Sequence, residues 1–155
     1  MKFLRDTDQG IFSYAVKAAF VSFSSAALIA LLVLSFYELE TPEDLGGTSF
    51  MDAFGYIVFA PIFETLLMIP IFKLIGCLTK RMDLTVILSA LIWAGLHSLA
   101  WLPWGIFAFS AFCVFSYSFL IWREVSLKKA IVTVTLIHGL RNTGAFLLGL
   151  VGEVA

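Results

Sequence analysis

Four residues in this chain are of the types that carry hydrolytic chemistry, and all of them lie in apolar surroundings. Glu64 is the lone acid in AFGYIVFAPIFETLLMIPIFKLIG, and His97 lies in IWAGLHSLA. His138 and Asn142 share TLIHGLRN. These two are four apart, so on a helix both project from one face about a turn apart, with Arg141 on that side as well. A carboxylate in a medium of low dielectric is a stronger base than one in water and can take a proton from a water molecule. A neutral histidine can orient that water, while a second histidine and an amide N–H can donate to a developing oxyanion. These are the parts for hydrolysing an acyl bond without a covalent intermediate. The same two imidazoles and carboxylate (Glu64, His97 and His138) are also a common zinc set, although the HExxH spacing is absent. No sequence feature chooses between the metal and the metal-free route.

Positioning such residues is costly in the medium that the rest of the chain demands. Of the 155 residues, 61% are hydrophobic and 14% are charged, where an ordinary soluble domain has about 25% charge. Mean hydropathy is +0.99. The expected class is an all-α, polytopic membrane helix bundle, a single domain over residues 1–155 in contact with lipid. An acid at the centre of a bilayer costs about 3 kcal/mol on insertion scales, so each such residue needs a partner, a wet cavity or a function. Net charge is −1, which gives no footprint for nucleic acid. Cys77 and Cys113 lie in separate apolar segments without CxxC spacing and read as small packing residues.

Five spans of about 20 apolar residues are expected. They cover Ile11–Tyr37, Phe50–Leu78, Leu84–Trp101, Gly105–Trp122 and Ala130–Val151, the last entered from Ser126 as an N-cap. The apolar run after MKFLRDTDQG is longer than a signal h-region and has no small-residue cleavage site, so it reads as a retained first span. The acidic segment ELETPEDLGG ends that span, and Pro103 breaks the chain between the third and fourth. Small residues in GAFLLGLVG (Gly144, Gly149, Gly152) permit close helix approach, though such residues are common in spans.

Lys2 and Arg5, Lys80 and Arg81, and Arg123, Lys128 and Lys129 occupy alternate connections, and the intervening loops carry no Lys or Arg. The positive-inside rule therefore places the N-terminus in the cytoplasm and the C-terminus outside. Trp101 and Trp104 then fall at the outer interface, and Lys17 can snorkel toward the cytoplasmic one. In a chain freed of Cys77 and Cys113, cysteine at Glu43 is expected to react with an impermeant thiol reagent on intact cells. Cysteine at Lys128 is expected to stay unlabelled, and the reverse pattern would overturn the orientation.

This topology acts as a depth gauge. At 1.5 Å per residue, Glu64, His97 and His138 each lie about 20 Å from the cytoplasmic edge. Three costly side chains on three spans share one depth. A single buried histidine is usually a satisfied core residue, but this coincidence points to one polar cavity holding Glu64, His97, His138 and Asn142.

Three segments then resemble a known family, the CPBP intramembrane proteases (CAAX proteases and bacteriocin-processing enzymes, also called Abi). APIFETLLMI resembles the lead of the family's EExxxR motif, with Glu64 on the first glutamate. WAGLH resembles FxxxH with Trp93 in place of Phe and His97 on the histidine, and HGLRN resembles HxxxN with His138 and Asn142. The likeness covers roughly residues 50–151. It implies an intramembrane endopeptidase in which Glu64 and His97 activate water while His138 and Asn142 form the oxyanion hole. It also implies a membrane-associated peptide or protein as substrate, no required cofactor (zinc being the alternative) and a bacterial cell-membrane location. Thr65 and Ile69 depart from the pattern, standing where the second glutamate and the arginine belong. Losing both of an opposite-charge pair leaves no orphaned charge. Arg141 could supply a compensating cation, or serve as a structural partner for Glu64 or a helix-end carbonyl. The alternatives are a non-catalytic member of the same fold that binds a partner or confers immunity, and a small transporter or proton relay. The last lacks inverted repeats. Neither substrate nor oligomeric state is legible.

Overall fold

The computed structural model describes residues 2–36, 38 and 49–154, with side-chain surroundings as far as 149. Most of the acidic segment with Pro42 and its two glycines lies outside the described residues, as do Glu43 and the surroundings of Gly152. Among the described residues every regular element is helical. A short 3₁₀ turn, Lys2–Arg5, precedes α1 (Ile11–Leu34). Next come α2 (Phe50–Phe54), a π turn over Gly55–Phe59 and α3 (Ala60–Leu78), which run on as one span of 29 residues. The remaining helices are α4 (Met82–Ser98), α5 (Leu102–Val125) and α6 (Leu127–Val154). Four helical segments are long and apolar enough to cross a bilayer, and α4 is a shorter apolar helix of 17 residues. This is the all-α polytopic bundle of an integral membrane protein.

The boundaries follow local chemistry. Ser49 caps α2 with a reciprocal box, its hydroxyl accepting from the Asp52 N–H while the Asp52 carboxylate accepts from the Ser49 N–H. Ser126 Oγ accepts from the Lys129 N–H at 3.1 Å, which is the expected cap of the last span. Pro103 sits in the first turn of α5, where its missing N–H costs nothing, so the break falls just before it. The third span accordingly ends at Ser98 instead of Trp101, and the fourth is lengthened to 24 residues.

α5 is the centre of the bundle. Phe112, Phe115, Phe119 and Trp122 are each at most 2% exposed. Phe119 meets Phe72 of α3 with ring centroids 5.1 Å apart, and Trp122 meets Tyr14 of α1 edge-on at 5.3 Å. The Tyr14 hydroxyl is held at 3.1 Å from both Ser118 Oγ and the Leu4 carbonyl, tying α1, α5 and the N-terminal turn together. Ser116 donates to Ser89 across α4 and α5 at 2.9 Å. Near the other end of these two helices, a Cβ on Gly105 would run into Ser98 Oγ and the Ala94 carbonyl oxygen. Gly105→Leu is therefore expected to pry α4 from α5 and lower the unfolding temperature in detergent. Overpacking of this kind typically costs about 1–3 kcal/mol, and an unchanged melting curve would show that the approach is not tight.

The outward faces are apolar too, with Phe20, Leu31 and Leu74 each more than 60% exposed. Lipid is as apolar as a protein core, so such faces need no polar residues. Cations gather at one end: the starts of α1, α4 and α6 and the ends of α3 and α5. Lys17 reaches back along α1 to Gln9 Oε1 at 2.9 Å, and Arg5 Nε donates to Tyr117 at 2.8 Å. Of the ten Lys and Arg residues, Arg141 is the one deep in the bundle away from that end.

Candidate functional site

Each of the predicted site residues extends the core stripe of its helix or lies at its edge. On α3 the buried positions are Pro61, Thr65, Met68, Phe72 and Ile75, with Glu64 flanking them. On α4 the stripe ends at Trp93, and His97 follows one turn later. On α6, Val134, Ile137, His138 and Asn142 are buried. Counted from the ends of these helices, Glu64, His97 and His138 lie about 21, 22 and 17 Å from the charged edge.

The closest approach among them is between Glu64 and His138. Glu64 Oε2 lies 3.9 Å from His138 Nε2, with side chains 18% and 6% exposed. That is too long for a direct hydrogen bond. Glu64 Oε2 is buried and has no partner among the described residues. The two histidines flank one ring: Phe112 lies 5.4 Å from His97 and 5.9 Å from His138. Phe115 lies 4.5 Å from His138, and Trp104 meets His97 edge-on at 5.3 Å. An aromatic wall from α5 thus sets where both imidazoles stand.

His97 Nδ1 lies 2.8 Å from the Trp93 carbonyl oxygen. A carbonyl only accepts, so in the neutral ring Nδ1 carries the hydrogen and Nε2 is left as an acceptor. An acceptor suits the orientation of a water, and does not suit donation to an oxyanion.

Asn142 has a second attachment that explains the turn before α3. In the π turn the Ala60 N–H bonds to the Gly55 carbonyl, five residues back. The Tyr56 carbonyl has thus lost its ordinary donor at Ala60, and the next residue, Pro61, has no N–H to offer. Asn142 Nδ2 fills that vacancy at 2.8 Å. α6 comes close enough here that a Cβ on Gly139 would lie 3.0 Å from the Ile57 carbonyl oxygen. One of the two Asn142 N–H bonds is therefore engaged in joining α3 to α6, and its Oδ1 accepts from Arg141 at 3.1 Å. Asn142→Ala should orphan the Tyr56 carbonyl and cost about 1–3 kcal/mol. Pro61→Ala in the same chain restores an N–H and should recover part of that loss in thermal unfolding. Absence of any recovery would show that Asn142 does not serve the carbonyl.

Arg141 makes that single hydrogen bond, and its Nε is buried without a partner among the described residues. It forms no ion pair with Glu64. The direct Arg141–Glu64 pair considered from the sequence is not made. Among the described residues no three His, Cys, Asp or Glu side chains are grouped as metal ligands, so Glu64, His97 and His138 do not fit a zinc ion as they stand. Thr65 is 1% exposed and its hydroxyl has no partner among the described residues, while Ile69 packs against the core. The two positions that depart from the motif are packing positions here.

Sequence reading missed the aromatic wall of α5 and the link from Asn142 to Tyr56. Phe112 is one of 16 phenylalanines and carries no distinguishing signal. Pro61, three residues before Glu64, did carry one: a helix-interior proline always leaves a carbonyl to be answered from elsewhere.

Fold and site together define a small polytopic membrane protein with a glutamate, two histidines, an asparagine and an arginine gathered deep in its bundle. No family model matches the chain, and no curated protein or solved structure matches it either.

Proposed function

We propose that this protein is an intramembrane endopeptidase of the bacterial cell membrane, cleaving a membrane-associated peptide or protein by direct attack of water. The observation that carries the reading is the unpartnered, buried Glu64 Oε2 standing 3.9 Å from His138 Nε2. Leaving a glutamate without a hydrogen bond in such a setting is costly, and a catalytic role gives a reason for retaining that cost.

Glu64 takes one proton from the water as its oxygen adds to the scissile carbonyl carbon. The acceptor Nε2 of His97 holds the water's other proton and aims its lone pair. The carbonyl oxygen becomes an oxyanion, which receives hydrogen bonds from His138 and from the remaining Asn142 N–H. As the C–N bond breaks, the proton on Glu64 passes to the departing amine, leaving a carboxylic acid and a new amino terminus, and the acid then gives its remaining proton to the amine to become a carboxylate. The likeness of APIFE, WAGLH and HGLRN to the CPBP motifs supports the same roles for Glu64, His97, His138 and Asn142.

A comparison of peptide termini in membranes producing wild type or Glu64→Gln tests this. New termini are expected with wild type alone, and they should persist in the presence of a chelator. The buried Thr65 and the partly buried Ile69 favour one second reading, a non-catalytic relative that binds a membrane partner. A partner copurifying equally with both proteins, without new termini in either, would select it.

A further inference from the structure

The N-terminal turn carries more fixed structure than the placement of charge requires. Lys and Arg orient a membrane chain wherever they stand in a short connection, and chain ends are poorly ordered unless something ties them down. Lys2–Arg5 is tied from three sides. Gln9 Nε2 donates to the Phe3 and Asp6 carbonyls at 2.8 and 2.9 Å, while Lys17 of α1 holds the oxygen of the same amide. The Tyr14 hydroxyl meets the carbonyl of Leu4, whose side chain is buried. Arg5 Nε donates to the Tyr117 hydroxyl of α5.

A cavity of about 400 Å³ lies there, lined by Lys2, Leu4, Arg5 and Tyr117. Its polar lining is two cations and a phenol, with no carboxylate among them. Lys2 and Arg5 are exposed, and neither makes an ion pair among the described residues. Asp6 and Asp8, the acids nearest in sequence, do not line it, and Asp6 accepts from the Asp8 N–H. Tyr117 accepts from Arg5 through its oxygen, so its own O–H is left to donate. Arg5 engages only Nε, which leaves the terminal nitrogens of its fork for an anion. The pocket therefore matches a group with several anionic oxygens. Tyr14, which meets Leu4, stands one turn into α1. The cavity is thus level with the first turn of that span, where the apolar run gives way to headgroups. Basic pockets at this level are suited to anionic lipid headgroups.

We infer that the cavity between the N-terminal turn and α5 binds the phosphate of an anionic membrane phospholipid. Arg5 and Lys2 pair with the phosphate oxygens, the Tyr117 O–H donates to one of them, and Leu4 forms the apolar floor. Free phosphate has the same oxygens, but at the edge of a span a lipid is always at hand, its phosphate held at that level by its own chains. The bound lipid clamps the N-terminal turn to α5. This binding holds whether or not the bundle cleaves peptides.

The test titrates the full-length protein in detergent with phosphatidylglycerol or phosphatidylcholine and counts lipid adducts by native mass spectrometry. With wild type, the first phosphatidylglycerol should bind about tenfold more tightly than the first phosphatidylcholine, whose phosphate is already neutralised by its own choline. Equal affinities overturn the inference, and that comparison needs no variant. Arg5→Gln should erase the preference, and Tyr117→Phe should weaken it while keeping the ring. Lys2 makes no hydrogen bond among the described residues, so Lys2→Gln leaves the turn's own bonds in place and should still weaken the first phosphatidylglycerol adduct. No effect of Lys2→Gln would contradict the pairing. The double variant Lys128→Gln/Lys129→Gln removes two cations from the same edge of the bundle and should leave the preference unchanged. A loss equal to that of Arg5→Gln would reduce the binding to diffuse attraction by the charged edge, overturning the site. Inorganic phosphate in excess should not displace the lipid from wild type. Full displacement would make the cavity a site for soluble phosphate and overturn the lipid assignment.

Discussion

Glu64→Gln is expected to abolish peptide-bond cleavage while the protein remains folded. The amide has the shape of the carboxylate and can still hydrogen-bond to a water, but it cannot take a proton from one. Positioned acid–base groups typically contribute about 10²–10⁴ in rate, and the base in a single-step attack by water has no substitute here. Glu64 Oε2 has no hydrogen-bond partner among the described residues, so the substitution breaks no hydrogen bond there. The melting temperature in detergent should hold or rise, since a neutral amide is cheaper to bury than a carboxylate. Loss of activity accompanied by loss of the folded protein would assign Glu64 to structure.

His138→Ala should produce the second-largest effect, a fall in turnover of about 10²–10³, as for removal of an oxyanion donor. It stands nearest Glu64 and contacts Phe115 at a centroid distance of 4.5 Å. Truncation therefore also leaves a cavity against the α5 wall, and some stability should go with it. His138→Gln separates the two effects. It refills much of the space and returns an N–H donor, so stability should recover more fully than rate. Equal recovery of both would mean that His138 acts only by packing. Because its Nε2 is an acceptor, His97 should behave differently: His97→Gln offers an amide oxygen to the water and should keep more activity than His97→Ala.

The spans could be read from composition because lipid enforces a simple rule, about 20 apolar residues between polar edges. The expected orientation rests on a similar rule, since the Lys and Arg residues of the connections fall in alternate ones. The common depth of Glu64, His97 and His138 was legible because depth needs only helix rise and a common edge. What sequence could not supply was azimuth, meaning which way each helix turns. In a soluble bundle the polar face reveals it, but here Phe20 faces outward and Phe112 inward with the same chemistry. Hence the place of Phe112 between the two histidines had no sequence signature. The bond from Asn142 to Tyr56 escaped notice because a π turn is set by hydrogen-bond geometry, and Pro61 alone hinted at it. For Arg141 the sequence offers a compensating cation or a structural partner for Glu64 or a helix-end carbonyl. That it bonds to Asn142 and lines a lateral groove, with no ion pair to Glu64, required coordinates.

The most direct measurement of the central claim is isotope incorporation by purified protein. Wild type and Glu64→Gln are reconstituted in nanodiscs with membrane-embedded peptides in water enriched in oxygen-18, and the products are weighed by mass spectrometry. Attack by water requires that wild type release fragments whose new carboxylate carries one oxygen-18 atom, with none released by Glu64→Gln. Fragments appearing equally with both proteins, or no fragments with either while the protein is folded and binds peptide, would contradict it.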